Sequence, residues 1–382
     1  MKNPNFMLRA VFISFTATFI FQVTAQNYMD GSIMHDGIQR DYKIYVPAIY
    51  VPGVAVPVVF NFHGYTSDNF QQSLYADFRP IADTANFIIV LPNGTLDPAG
   101  NRFWDTFGLG QVDDLGFVTA LLDTLSLEFS VEADRVYSTG MSNGGFMSYD
   151  LACFRSDRFA AIASVTGSML TSRLANCNAV HPTPVMQIHG TADPTVNYVG
   201  GSGIEGIEDL VQHWVQFNNC SGTPTIIDLP DISTTDGCTA QHYVYSGGDY
   251  GSTVEFFKVI GGGHTWPGSP FVVGVTNQDF NACREIWRFF SQYTLSQFVG
   301  VEEQRSANAS FSIGPNPTNG SFVLRFERPT SRTITIHNAT GQLIQNVVTS
   351  ATIMEFTLEA EGVYFVHMQE GSTSSIQRVV IL

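Results

Sequence analysis

The sequence predicts an α/β protein: a mostly parallel sheet with helices on both faces, followed by a small all-β module. Three observations carry this. Near-continuous apolar runs such as Val56 to Phe62 and Phe87 to Leu91 read as strands buried on both faces. Helical patterns lie between several such runs, and strands alternating with helices build a parallel sheet. After about Gly300 the helical period disappears, and short alternating segments separated by turns replace it.

Taken in order, Ser32 to Met34 and Ile38 to Val46 flank Asp36-Gly37, a hairpin signal. Buried strands are then expected at Val56 to Phe62, Phe87 to Leu91, Arg135 to Thr139, Ala160 to Val165, Val185 to His189 and Val254 to Ile260. The clearest helix is Val112 to Phe129. Asp113 and Asp114 open it, and Phe117, Leu121, Leu122 and Leu125 form one apolar stripe. Phe146 to Phe154 and Asp279 to Tyr293 are the other helices the argument needs; the second carries Ile286, Trp287, Phe289 and Phe290. In the tail, Ser321 to Phe326, Thr333 to His337, Gly362 to His367 and Ile376 to Ile381 alternate as strands of a β-sandwich.

The domain plan follows from the two ends. Lys2 and Arg9 precede the apolar, Thr-rich stretch Ala10 to Val23, and Val23-Thr24-Ala25 offers a small-residue cleavage site. Residues 1–25 are therefore expected to be a signal peptide, 26–298 the α/β domain, 299–310 a polar linker and 311–382 the sandwich. No transmembrane anchor is expected after processing, because the apolar stretch is short and lacks a basic stop-transfer cluster. The formal net charge of −16 and the absence of basic runs exclude a phosphate-binding surface, so no nucleic-acid partner is expected. Export makes disulfides possible. Of the five cysteines, Cys153–Cys177 and Cys220–Cys238 are the expected pairs, with Cys283 unpaired.

The chemistry is concentrated in Gly140-Met141-Ser142-Asn143-Gly144. This Gly-x-Ser-x-Gly stands between an expected strand and an expected helix, the context of a nucleophile elbow. A serine nucleophile needs a base, and the base needs an orienting acid, in the chain order Ser, Asp/Glu, His. Asp193 follows the strand Val185–His189 and precedes Pro194, where a turn-capping role is also open to it. Asp228, Asp231, Asp236 and Asp249 read as solvated loop carboxylates. Their spacing does not match a calcium loop, so neither a metal nor a cofactor is expected. His264 sits in Gly261-Gly262-Gly263-His264, where a histidine has little to pack against. His213, on a helix beside Trp214, and His242, within a strand-like run, are weaker bases. For the oxyanion hole, the amides of Asn143 and Tyr65 are the expected donors, and His63 is expected to be structural. Trp266 and Tyr65 are candidates to line an aromatic acyl pocket, whereas Trp104 reads as packing. No lid is evident; loops within 195–210 and 225–250 are the segments available to cover the site.

Together, Val112-Asp113-Asp114-Leu115-Gly116-Phe117, Gly140-Met141-Ser142-Asn143-Gly144-Gly145, His189-Gly190-Thr191-Ala192-Asp193 and Gly262-Gly263-His264-Thr265-Trp266-Pro267-Gly268 resemble the polyhydroxybutyrate-depolymerase/feruloyl-esterase family of secreted α/β-hydrolases. The resemblance covers roughly residues 28–295. It implies a serine carboxylesterase acting through an acyl-enzyme on feruloyl or acetyl esters of plant cell-wall polysaccharides, or on polyesters. The chain departs from the family's pattern at Asn197, where the family often has proline. The tail, with Pro315-Asn316-Pro317-Thr318-Asn319-Gly320, Thr340-Gly341-Gln342-Leu343 and Gly362-Val363-Tyr364-Phe365, resembles a type IX secretion sorting domain. It implies that the secretion machinery is a partner and that the protein is extracellular or on the cell surface. A surface binding protein that keeps the fold without the activity is the reading from another class.

Overall fold

A computed structural model describes residues 28–108, 112–298, 311–326, 328–338, 342–370 and 373–382. The expected signal peptide, the linker and Thr340-Gly341 lie outside the described residues. The first elements are β1 (Met29–His35), β2 (Ile38–Tyr45), β3 (Val56–Phe62), α1 (Asn69–Tyr75), α2 (Arg79–Ala85), β4 (Ile88–Pro92) and the short pair β5 (Thr95–Leu96) and β6 (Arg102–Phe103). Next come α3 (Asp114–Glu128), β7 (Val131–Met141), α4 (Asn143–Phe154), β8 (Ala161–Val165), α5 (Thr171–Leu174), β9 (Val185–Gly190) and α6 (Ile207–Phe217). This part of the chain ends with β10 (Thr225–Asp228), β11 (Thr239–Tyr245), β12 (Val254–Ile260), α7 (Ala282–Phe290) and α8 (Leu295–Phe298).

One 10-stranded sheet runs β1-β2-β4-β3-β7-β8-β9-β12-β11-β10. Its centre, from β4 to β12, is parallel. The antiparallel pairs β1–β2 and β10–β11 finish the two sides. β3 shows why the apolar run is continuous. Val58 and Phe60 face α3, packing with Phe117, Val118 and Leu121, while Val59 faces the side carrying Ala82 of α2 and Ile286, Phe289 and Phe290 of α7. Alternate residues of a strand point to opposite faces, so a strand covered by helices on both sides is apolar at nearly every position. Each such side chain, fully buried, contributes about 1.5–3 kcal/mol. The parallel strands β3, β7, β9 and β12 all deliver their carboxyl ends to the same edge, where the four loops of interest begin.

Helix boundaries are set by side chains. Asp113 is the cap of α3, its carboxylate accepting from the Gly116 amide at 2.8 Å, so the helix proper opens one residue later. α7 opens at Ala282 rather than at the expected Asp279. Asn281 is its cap, and the Asp279 carboxylate instead accepts from the Ile232 and Ser233 amides at 2.9 Å each. The seven-residue helices α1 and α2 are too short to show an apolar stripe, which is why the sequence does not announce them.

In the tail, β13 (Phe311–Gly314), β14 (Ser321–Phe326) and β17 (Ile353–Thr357) form one antiparallel sheet. β15 (Arg332–Asn338), β16 (Leu343–Thr349), β18 (Gly362–Glu370) and β19 (Thr373–Ile381) form the other. Phe322, Leu324 and Phe356 from the first meet Ile334, Ile336, Val366 and Met368 from the second in one core, as a sandwich requires.

Cys153 of α4 is bridged to Cys177, as expected. Cys220 and Cys238 are not bridged, contrary to expectation. They flank the β10–β11 hairpin at opposite ends: Ser221 bonds to Ser246, past the end of β11, whereas Cys238 immediately precedes its first residue, Thr239. Seven strand residues at about 3.3 Å each separate those ends by roughly 20 Å. A disulfide tolerates Cα separations only up to about 7 Å. Cys283 is unpaired and buried. Alkylation of denatured, unreduced protein is therefore expected to modify Cys220, Cys238 and Cys283 and to spare Cys153 and Cys177. A Cys220–Cys238 bridged peptide in the digest contradicts this arrangement.

Candidate active site

β7 ends at Met141, and α4 begins at Asn143, so Ser142 alone makes the turn. Its backbone is at φ 54° and ψ −120°, a region that costs a residue with a side chain on the order of 1–3 kcal/mol. Hydrogen bonds hold it there. The Ser142 amide donates to Val165 O at 2.8 Å, and its carbonyl accepts from Gly145 N at 2.8 Å and Phe146 N at 3.0 Å. Gly140 and Gly144 make the turn sterically possible. A Cβ on Gly144 would lie 2.2 Å from Phe62 O, and one on Gly140 would lie 2.6 Å from the Gly144 carbonyl carbon.

Asp193 and His264 come from the loops after β9 and β12 and meet directly. His264 Nδ1 lies 2.7 Å from Asp193 Oδ2, which leaves Nε2 available to a reactant. The two loops are tied together by backbone. Ala192 N donates to Gly262 O at 3.0 Å, Thr191 N to Val259 O at 2.8 Å, and Gly261 N to the Thr191 hydroxyl at 2.8 Å. A Cβ at Gly190 would sit 2.2 Å from Gly262 O, so this approach requires glycine there. Asp193 Oδ1 accepts from the Thr195 and Val196 amides at 2.8 and 2.9 Å. Its turn-capping role and its contact with His264 thus coexist on different oxygens. His189 Nε2 also lies 3.3 Å from Oδ2. Burial alone would raise the Asp193 pKa, but the hydrogen bonds from His189 and His264 prevail and hold it well below the usual carboxylate range.

Asn143 opens α4, so its amide has no acceptor within the helix. Its side chain does something the sequence did not reveal. Oδ1 accepts from Trp104 N at 2.7 Å, and Nδ2 donates to Trp104 O at 3.1 Å and to the Thr106 hydroxyl at 2.9 Å. The same loop is held from behind by Asp114, which accepts from Asp105 N at 2.7 Å and pairs with buried Arg40 at 2.6 Å. His63 is buried with both ring nitrogens engaged, Nδ1 with Gly64 O at 2.7 Å and Nε2 with Gly94 N at 3.0 Å. Burial pushes its pKa down to about 4, which suits a neutral structural residue. Trp104 is fully buried, and its indole N–H donates to His63 O at 3.0 Å.

Ser142 and His264 line one cleft of about 540 Å³. Tyr65 lies on its wall with Leu74 and Tyr75 of α1 and with Phe271 and Val273. The Tyr65 hydroxyl donates to Asp97 Oδ2 at 2.6 Å, which fixes the ring at the rim. Trp266 is not on this wall, contrary to expectation. It is 1% exposed and packs edge-on against Phe78, because the backbone after His264 turns inward, where Trp266 N donates to the Tyr75 hydroxyl at 3.1 Å. The segments 195–210 and 225–250 do not line the cleft either; residues 225–228 and 239–245 are strands, and the covering loop is the one carrying Phe271 and Val273. Phe271-Val272-Val273 is an apolar run with no local signal of exposure, yet all three side chains are more than half exposed. Among the weaker candidates, His242 pairs with buried Glu255 at 2.7 Å, and Asp236 accepts from the Cys238 and Gln278 amides at 3.0 and 2.8 Å. Neither reaches the cleft, nor do His213, Asp228, Asp231 and Asp249.

The fold is that of an α/β-hydrolase followed by a small β-sandwich. Residues 115–223 match the phospholipase/carboxylesterase family model, and residues 312–382 match the secretion system C-terminal sorting domain model. The match to the sorting domain places the protein outside the cell or on its surface. In particular, it is 28% identical over 286 residues to a bifunctional acetylxylan esterase/xylanase of Neocallimastix patriciarum, covering 75% of this chain and 37% of that protein. It is 30% identical over 187 residues to a putative esterase of Nocardia uniformis, covering 44% of this chain and 54% of that one. It thus spans about a third to a half of the length of these two relatives. A probable feruloyl esterase C of Aspergillus clavatus is 26% identical over 241 residues, with 59% of this chain and 82% of that protein covered. Among solved structures, an acetyl xylan esterase from Aspergillus awamori superposes with a TM-score of 0.51 at 12% identity over 69% of this chain and 99% of that one, which shows the shared fold.

Asp193 gives the site a pH signature. A carboxylate whose folded pKa is depressed stabilises the fold fully above its unfolded value near 4 and loses that contribution progressively as pH falls from there through the folded value. The melting temperature of Asp193→Asn is expected to trail that of the wild type most at pH 7 and least at pH 3. An equal gap at both pH values contradicts the charged, hydrogen-bonded Asp193.

Proposed function

We propose that the protein is a secreted serine carboxylic-ester hydrolase acting on feruloyl or acetyl esters of plant cell-wall polysaccharides. One observation carries the reading: a turn serine and a histidine bonded to Asp193, the three coming from separate loops, meet in one largely apolar cleft that Ser142 and His264 line. In this reading His264 Nε2 takes the Ser142 proton as Oγ attacks the ester carbonyl, and Asp193 holds the tautomer and balances the imidazolium. The amides of Asn143 and Tyr65 receive the oxyanion, and each such donor typically contributes about 2.7–4 kcal/mol to lowering the barrier. The tetrahedral intermediate collapses to an acyl-Ser142, and the alcohol leaves with the proton from His264. Water, deprotonated by the same histidine, then releases the acid.

The acetylxylan and feruloyl esterase relatives support the substrate class. The wall of Tyr65, Tyr75, Leu74, Phe271 and Val273 suits a flat aryl-acyl group better than a bare acetyl group. A polyester depolymerase is the competing enzyme, and Phe271-Val272-Val273 is the feature that favours it, as an exposed apolar segment suited to a solid polymer. Methyl ferulate, acetylated xylan and polyhydroxybutyrate distinguish these readings; release from polyhydroxybutyrate alone overturns the cell-wall assignment.

Two outcomes are expected of variants. Ser142→Ala should lose labelling by a fluorophosphonate probe and all turnover of p-nitrophenyl acetate; labelling equal to that of the wild type rules out Ser142 as nucleophile. Phe271→Ala should raise KM for methyl ferulate roughly fivefold to tenfold, the loss of an aromatic contact of about 1–1.5 kcal/mol, and raise it much less for p-nitrophenyl acetate. Equal changes for both esters contradict the aryl wall.

A further inference from the structure

Behind Asp193 lies a chain of buried polar side chains that the mechanism above does not use. Tyr149 of α4 donates to Gln187 Oε1 at 2.7 Å. Gln187 Nε2 donates to Gly167 O at 2.9 Å and lies 3.0 Å from His189 Nδ1. His189 Nε2 lies 2.9 Å from Val196 O and 3.3 Å from Asp193 Oδ2. Tyr149, Gln187 and His189 are all fully buried.

The proton positions follow from the groups at the ends. Gly167 O only accepts, so the Gln187 atom beside it is the amide nitrogen. The second N–H of that nitrogen points to His189 Nδ1, which must therefore accept. The ring proton then sits on Nε2, shared between the Val196 carbonyl and the Asp193 carboxylate. Tyr149 completes the arrangement by donating to Gln187 Oε1, the only orientation in which all these groups are satisfied.

We propose that His189 is a positioning residue for Asp193, clamping Oδ2 and the Val196 carbonyl through Nε2–H, with Gln187 and Tyr149 fixing the tautomer that can do so. The proposal rests on the esterase reading. Asp193 then carries donors on both oxygens: two backbone amides on Oδ1, and His189 and His264 on Oδ2. His189 fills the site on Oδ2 that the base does not use. The carboxylate consequently cannot rotate away from His264.

Other ionisable groups face this cluster. Tyr198 lies beside the His189 ring, its hydroxyl donating to Glu208 at 2.6 Å, and Lys258, the β12 partner of His189, reaches the same Glu208 at 2.7 Å. Tyr149 and Tyr198 are both shifted upward by burial, so neither titrates where an esterase works. A pH effect of altering His189 must therefore pass through Asp193 and His264.

A carboxylate deprived of one donor is a stronger acceptor and favours the charged imidazolium of its partner. The test measures kcat and kcat/KM for p-nitrophenyl acetate against pH, with melting temperatures, for the wild type, His189→Phe, His189→Gln and Gln187→Met. In His189→Phe, kcat is expected to fall roughly 10- to 100-fold, as for a misplaced catalytic group. The acid limb of kcat/KM should move to higher pH by about half a unit or more. His189→Gln, which regains an N–H at the same reach, should restore both. Gln187→Met, which frees Nδ1, should shift the limb in the same direction to a smaller extent, and it serves if His189→Phe does not fold. Lost activity with an unmoved acid limb, or no restoration by glutamine, overturns the proposal and leaves His189 a packing residue. A wild type that does not turn over p-nitrophenyl acetate overturns the esterase reading itself, a separate outcome.

Discussion

The candidate site depends on one close approach of backbone to backbone. Where β7 turns into α4, Gly144 lies against the Phe62 carbonyl and Gly140 against Gly144, at spacings that exclude even a methyl group. Ser142 is thereby forced to φ 54°, and its amide is used on the Val165 carbonyl at the end of β8. The strain is balanced by packing on all sides: Phe146, Met147 and Tyr149 of α4 are buried, and β3 and β7 are paired along their length. The turn lifts the serine side chain out of the sheet edge and leaves the Asn143 amide without an acceptor inside α4. An anion-binding corner next to a raised hydroxyl is a consequence of that geometry.

A second close approach does for the candidate base what the first does for the candidate nucleophile. The loops after β9 and β12 touch at Gly190 and Gly262, and the backbone bonds between them set the distance from Asp193 to His264. The carboxylate is buried, which by itself opposes its charge; the hydrogen bonds on both oxygens overcome that opposition. A charge held this way is insensitive to solvent and stays fixed in direction, as preorganisation requires. The oxyanion side follows the same logic at one remove. Asn143 ties the loop through Trp104 and Thr106 to the first turn of α4, and Arg40 with Asp114 supports that loop from the other side.

Much of this was legible in the sequence because it is local. Gly140 to Gly144 encodes its own turn, Val56 to Phe62 encodes burial on both faces, and the glycines at Gly261 to Gly263 mark a loop rather than a core. What was not legible depends on distant partners. Cys220 and Cys238 look paired by separation, and only the β10–β11 hairpin shows that they stand at opposite ends of it. Trp266 follows the base by two residues but turns inward against Phe78, so proximity in sequence did not become proximity to substrate. Phe271 and Val273 line the cleft, and no local signal tells an apolar core run from an apolar cleft wall. The link from His189 to Asp193 spans a single loop, yet Tyr149 and Gln187 joined it from another helix and along the same strand.

The central claim is that Ser142 carries the acyl group between two half-reactions. Its most direct test is mass spectrometry of protein acid-quenched during turnover of p-nitrophenyl acetate, with peptide mapping of the adduct. The account predicts an acetyl increment on the peptide containing Ser142, confined to Ser142 and disappearing as substrate is consumed. Steady turnover with the acetyl group on another residue and none on Ser142 would contradict it.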